Sequence, residues 1–257
     1  MSERMLQDKV ALIVGAGREP GPSLALAFAD QGAIVAVNDL SPVVLDPLVQ
    51  AAHAQGGQIA SFVADATRGM PLRVMLDDVL SEWGRIDLLV NNPRVQPISP
   101  LIEMDEWDFQ RTVEMNLNGP FLVTKLVAQL MREQGQGVII NILEDETKAL
   151  KAPDSAAYAA SQAGLKALTR KAAQELIAYN IRVYGIQMDQ VMPATREDAA
   201  ETPAAAGGLL SQLAVFLCSE SAARLPGQIL QVNAQEQPAP IAATRPGPFL
   251  PEAHQEE

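Results

Sequence analysis

Short β-branched runs alternate along the chain with stretches whose apolar positions recur every three or four residues. Apolar runs predict strands at Val10–Val14, 34–37, 59–63, 86–90, 138–142, 181–186 and Ile229–Val232. Helical spacing predicts helices at about 21–31, 43–55, a stretch ending near Trp83, about 104–131 and about 155–179. A strand buried on both faces reads as an unbroken apolar run, and a helix between successive strands demands parallel pairing. The pattern predicts a single α/β domain over residues 1–235, with a doubly wound parallel sheet of about seven strands. Residues 236–257 are rich in proline and alanine, acidic and poor in large apolar side chains, and read as a flexible C-terminal tail.

Composition narrows the function classes. Apolar residues make up 48% of the 257 and charged residues 19%, as in a folded globular protein. The net charge of −12 repels phosphate backbones and anionic lipid, so neither nucleic acid nor a membrane surface is an expected partner. A single nucleotide in a local pocket stays compatible with it. Cys218 is the one cysteine, which forbids an intrachain disulfide and suits a reducing compartment. His53 and His254 show no metal-ligand spacing, and no metal is expected. Without a signal-peptide pattern or an apolar run of membrane-span length, the expected location is cytoplasmic.

Chemistry first shows after the first strand, in Gly15-Ala16-Gly17-Arg18-Glu19-Pro20-Gly21-Pro22. A glycine-rich turn from strand to helix is where a dinucleotide pyrophosphate sits, because free amides and the helix dipole attract the anion. Asp39 follows Gly15 by 24 residues, at the end of the second strand. A carboxylate there accepts hydrogen bonds from an adenosine ribose and repels a 2′-phosphate, favouring NAD over NADP. It also suits a plain cap on the next helix.

The order of these motifs resembles the short-chain dehydrogenase/reductase family over roughly residues 7–235, which implies a Rossmann-like fold. The family's loop is similar to T-G-x-x-x-G-x-G; Gly15 and Gly21 match its first and last glycines, with Val14 at the threonine and Glu19 at the middle glycine. Glu19 brings a carboxylate toward the phosphate site, and Pro20 and Pro22 have no N–H to donate. Each lost charge-assisted hydrogen bond costs about 1.5–3 kcal/mol of affinity. The resemblance also assigns Asp65 to the adenine. Asn91-Asn92-Pro93-Arg94 stands at the family's N-N-A-G, where Asn91 and Asn92 steady the central strands. Arg94 replaces a glycine beside the expected nicotinamide ribose, with three options: filling part of that pocket, pairing with Glu19 or Glu144, or solvation.

The resemblance places the catalytic tyrosine at Tyr158 and the relay asparagine at Asn116. The family's lysine, four residues after the tyrosine and one helical turn away, is Gln162 here. Glutamine carries no charge and cannot hold tyrosinate, so Tyr158 keeps a pKa of about 10 or higher, far from the working pH of general acid–base catalysis. Lys166 lies eight residues on, about 12 Å along the axis. Lys148 and Lys151 precede the helix. The family's serine position falls on Glu144 counting forward from Asn141 and on Asp145 counting back from Tyr158. Neither carries a hydroxyl, and Thr147 is the nearest one. Met188-Asp189 replaces the family's P-G.

Residues 190–208 match the family's substrate lid, shortened, and read as a loop without strong helix. The family's oligomer interfaces lie on the two long helices, where Ala156, Ala157, Ala160, Ala163, Gly164 and Ala167 permit close approach, and on the last strand with its preceding helix. Three readings stay open. One is a weakly active or non-catalytic subunit of a homo-oligomer (dimer or tetramer), or of a hetero-oligomer with an active relative. Another is an NAD(P)-dependent oxidoreductase, with NAD the favoured cofactor, that interconverts alcohol and carbonyl through a rebuilt site. The third is a redox-free lyase or ligand sensor using Tyr158 and Glu144.

Overall fold

In the central strands the apolar residues alternate between two buried faces, and this pattern fixes the layering. The computed structural model describes residues 4–92, 94–144, 154–188, 204–223, 225 and 227–232. Its strands are β1 (Val10–Val14), β2 (Ile34–Asp39), β3 (Gln58–Val63), β4 (Leu88–Asn91), β5 (Gly137–Glu144), β6 (Ile181–Met188) and β7 (Ile229–Val232). They form one sheet in the order β3-β2-β1-β4-β5-β6-β7, every neighbouring pair parallel. Ala11, Ile13, Val35 and Val37 point into one core, against Leu24 and Phe28 of α1 (Gly21–Asp30) and Leu45 and Leu48 of α2 (Pro42–Ala54). Val10, Leu12 and Val14 point into the other, against α3 (Gly69–Trp83) and α5 (Gly119–Gln134). Burying each such aliphatic side chain contributes about 1.5–3 kcal/mol. This is the single-domain α/β fold expected from the sequence.

Two polar devices pin the sheet. At its amino edge the buried Asp87 carboxylate accepts the Val10 amide at 3.0 Å and the Arg85 Nε at 2.8 Å. Toward the carboxyl edge, Asn91 pairs in register with Asn141. Asn91 Nδ2 donates to Asn141 Oδ1 at 2.8 Å and to Thr124 of α5 at 3.1 Å, and Asn141 Nδ2 donates to Thr169 at 2.9 Å. Thr169 belongs to α6 (Ala156–Leu176), so one buried chain of hydrogen bonds ties two strands to two helices.

Two expected elements come out differently. The helix expected at 104–131 divides into α4 (Glu106–Val113), a π-helical segment (Glu114–Asn118) and α5. Pro120 stands near the start of α5, where its missing N–H and its ring are incompatible with an uninterrupted α-helix. The loop reading of 190–208 is corrected at its end, because α7 (Ala204–Cys218) begins at Ala204. Alanine favours the helix, and Leu210, Ala214 and Leu217 of α7 bury in the core beside α1, which outweighs Gly207 and Gly208. The rest of that stretch, 189–203, and the tail 236–257 lie outside the described residues.

Candidate functional site

The sheet order reverses direction between β1 and β4, since β2 and β3 lie to one side and β5 to β7 to the other. Loops leaving two such strands diverge and open a crevice at their carboxyl ends, the place where open α/β sheets hold ligands. The glycine loop forms one wall. Gly15 has φ +77°, in the left-handed region that favours glycine. A Cβ on Gly17 would stand 2.7 Å from Asp39 Oδ2 and collide with Val44. Asn92 braces the loop from the β4 side, its Nδ2 donating to the carbonyls of Gly15 at 2.8 Å and Arg18 at 3.1 Å. The expectation that Asn92 steadies the strands therefore shifts: its side chain steadies the loop.

Helix α1 opens with few amides to offer. Pro20 and Pro22 have none. The Gly21 amide donates to the Arg18 carbonyl at 2.8 Å and the Leu24 amide to Pro20 at 2.9 Å.

The two aspartates singled out in the sequence both stand beyond β1. Asp39 accepts the Gly17 amide through Oδ2 at 2.9 Å and the Leu40 amide through Oδ1 at 2.7 Å, so its carboxylate shapes the loop it faces. Asp65 accepts the Thr67 hydroxyl at 2.6 Å and the Thr67 amide at 3.0 Å. Partial burial works to raise the Asp65 pKa; these Thr67 hydrogen bonds, with the charges of Arg111 and Arg68, hold it below the usual carboxylate value.

On the other wall the loop after β4 is clamped by Asn116 of the π-helical segment. Its Oδ1 accepts the Val95 amide and its Nδ2 donates to the Val95 carbonyl, both at 2.8 Å. Asn116 Nδ2 also reaches Ser161 Oγ at 3.1 Å, and Ser161 donates to the Tyr158 carbonyl at 2.8 Å.

At the inner end stand Tyr158, Gln162, Glu144 and Arg94, which with Glu19, Asn92, Ile142, Leu143 and Met188 line a small cleft. Tyr158 and Gln162 share one face of α6, both buried. Glu144 is the last residue of β5, and Gln162 Oε1 accepts its backbone amide at 3.0 Å. The Glu144 carboxylate is 5% exposed and meets Arg94 Nη1 at 2.6 Å. Arg94 also donates to Gln96 at 3.1 Å, and its guanidinium carbon lies 5.8 Å from the centre of the Tyr158 ring.

Burial is the main reason the Tyr158 phenol is pushed well above its ordinary pKa. The negative charge of Glu144 raises it further, Arg94 works against that, and hydrogen bonding toward Glu144 adds to the rise. No hydrogen bond of regular geometry reaches the phenol oxygen from the described residues.

The structure thus gathers Tyr158, Gln162, Glu144, Gly15, Gly21 and Asn116 around one crevice and sets Asn91 behind it, inside the sheet. Glu144 is a carboxylate beside the tyrosine; its alternative Asp145, and Thr147, Lys148 and Lys151, lie outside the described residues. Of its options, Arg94 pairs with Glu144 and also stands in the cleft that it helps to line. Sequence reasoning missed Asn141, Thr124, Thr169 and Ser161. For Asn141 a signal existed, a lone amide inside the apolar run 138–142.

Comparison with known proteins agrees with this architecture. The profile of the short chain dehydrogenase family matches residues 9–204. The 3-oxoacyl-(acyl-carrier-protein) reductase of Thermotoga maritima is 31% identical over 240 residues, covering 89% of this chain and 97% of the reductase. A solved 7 alpha-hydroxysteroid dehydrogenase, complexed with NADH and 7-oxo glycochenodeoxycholic acid, superposes with a TM-score of 0.80 at 31% identity, over 91% of this chain and 97% of that one. A gluconate 5-dehydrogenase from Burkholderia cenocepacia, in complex with NADP and tartrate, gives 0.79 at 28% identity, over 90% and 96%. The chain belongs to the short chain dehydrogenase family.

Proposed function

We propose that this protein is a family member in which hydride transfer by the tyrosine–lysine route is lost or greatly weakened, and which works as an oligomeric subunit. The observation that carries the reading is the setting of Tyr158. Its phenol is buried beside the Glu144 carboxylate, and the position one turn along holds a neutral glutamine whose oxygen faces a backbone amide. A proton donor for alcohol–carbonyl chemistry needs a pKa near the working pH; burial and Glu144 move Tyr158 the other way, Arg94 opposes them, and Gln162 carries no charge to help bring it back.

The fit to a dinucleotide is uneven. Asp39 and Asp65 suit the adenosine end, and Asp39 favours NAD over NADP. The pyrophosphate end meets two prolines and Glu19, and the nicotinamide end meets Arg94. NAD is accordingly the cofactor if one binds, and it binds weakly. As a subunit the chain pairs with itself, as a dimer or tetramer, or with an active relative. Ala160, Ala163 and Ala167 are exposed along one face of α6, while Ala157 is buried within the protomer, so the free face is narrow and flat. A reducing compartment, the cytoplasm, suits its one buried thiol.

The test is turnover of a panel of alcohols and ketones with NAD(H) and NADP(H), beside the Tyr158→Phe variant. The expected result is no turnover above that of the variant; robust turnover lost on removing the hydroxyl overturns the proposal. The alternative, an NAD-dependent oxidoreductase with a rebuilt site, is favoured by Asp39 and the Thr67-braced Asp65, and that same panel decides between the two.

A further inference from the structure

We infer that Arg94 is a built-in plug, closing the inner half of the crevice while leaving the outer half open to a nucleotide. The crevice lies at the reversal of strand order between β1 and β4, where ligands of open α/β sheets bind. Arg94 enters it from the loop after β4. Three contacts fix the side chain inside: Glu144 Oε1 at 2.6 Å, Gln96 Oε1 at 3.1 Å and the Tyr158 ring at 5.8 Å.

The arginine side chain is 19% exposed and the carboxylate holding it 5%, so the head of the plug sits at depth. The space left among the lining residues is about 10 Å³, room for a single water. A benzene-sized ring takes a cavity on the order of 150 Å³. Asp39 and Asp65 do not line this cleft, so the residues suited to an adenosine end stand apart from the plug.

A ligand built of two nucleotide halves should therefore be gripped by its adenosine end alone. This rests on the crevice and its lining and not on any lack of turnover, so it fails separately from the proposed function.

Calorimetric titration of the full chain with NADH and with ADP tests it. In the wild type the two ligands should bind with similar Kd, because the nicotinamide half adds nothing. Removing both charges and the bulk, in R94A/E144Q, should tighten NADH by about tenfold or more while leaving ADP unchanged. R94M/E144Q removes the same charges but keeps an unbranched chain in the space, and should stay close to the wild type. Thermal melts confirm that each variant is folded, with R94G/E144Q replacing the alanine variant if that does not fold. Should neither ligand register on the wild type, NADH binding acquired by R94A/E144Q supports the plug and continued silence overturns it. Tenfold preference for NADH over ADP in the wild type overturns it too, as does ADP tightening in step with NADH.

Discussion

Gln162 accepts the backbone amide of Glu144 at 3.0 Å, joining the middle of α6 to the last residue of β5. Only an acceptor can do this, and lysine, with three donors, cannot. The residue that departs from the family's pattern is thus built into the structure at this position. Gln162→Lys should leave a buried amide unsatisfied, lowering stability by about 1–3 kcal/mol, read as a lower melting temperature. It should not create turnover, because Glu144 and Arg94 still surround the phenol.

The raised pKa of Tyr158 carries a pH signature. Below about pH 10 the phenol is protonated in both folded and unfolded chains and contributes no pH dependence. Above that, the unfolded chain releases the proton while the folded one keeps it, so stability falls as pH rises. Urea unfolding between pH 9 and 11 should show this slope in the wild type and a shallower one in Tyr158→Phe. A residual slope is expected in the variant, since burial also raises the Tyr184 phenol and the Cys218 thiol.

The Arg94–Glu144 pair should respond unevenly to single substitutions. Glu144 is the deeper partner, so Arg94→Met, which removes the cation from a buried carboxylate, should cost more than Glu144→Gln, which leaves a guanidinium nearer the rim. Breaking a buried pair costs about 3–5 kcal/mol, and the partial exposure of Arg94 places both variants at or below the lower end. R94M/E144Q together should recover much of the loss. Urea unfolding of the double-mutant cycle measures the coupling.

Cys218 should be chemically silent in the native protein. It is buried, and that burial pushes its thiol up to about 12. A thiol-specific disulfide reagent at pH 8 should label it only at the rate of unfolding, and at once in denaturant. Fast native labelling would contradict the position of α7 over the core.

If the chain assembles through α6 as proposed, Ala163 is a sensitive position. It is exposed in the protomer, so Ala163→Arg costs little in folding, but a long cation on that face should block close helix approach. Sedimentation should show a smaller species at an unchanged melting temperature of the protomer. An unaltered assembly places the interface elsewhere.

The frame was legible in the sequence because burial on both sheet faces imposes unbroken apolar runs on the central strands, and each of the seven predicted strands reappears, the edge strands β3 and β7 being less buried. The break at 114–118 was harder to see, although Pro120 marks it, since apolar spacing runs through a π-helical turn without interruption. Gly207 and Gly208 misled the reading of α7 because local propensity carries no information about the core waiting for Leu210 and Ala214. In the site, the family resemblance singled out Tyr158 and Gln162, and helical spacing put the two on one face. The place of Glu144 in the cleft could not be read from spacing, because it depends on how the end of β5 meets α6. The partner of Arg94 was one of several options, and only the path of the backbone after β4 selects it.

The Thr124–Asn91–Asn141–Thr169 chain separates maintenance of the frame from the chemistry above it. It fixes the alignment of the two central strands beneath the crevice, using buried side chains bonded to one another. Side chains at the rim can then be exchanged, charge for charge or lysine for glutamine, while the floor stays level. A frame held from within leaves the residues above it free to vary without loosening the sheet.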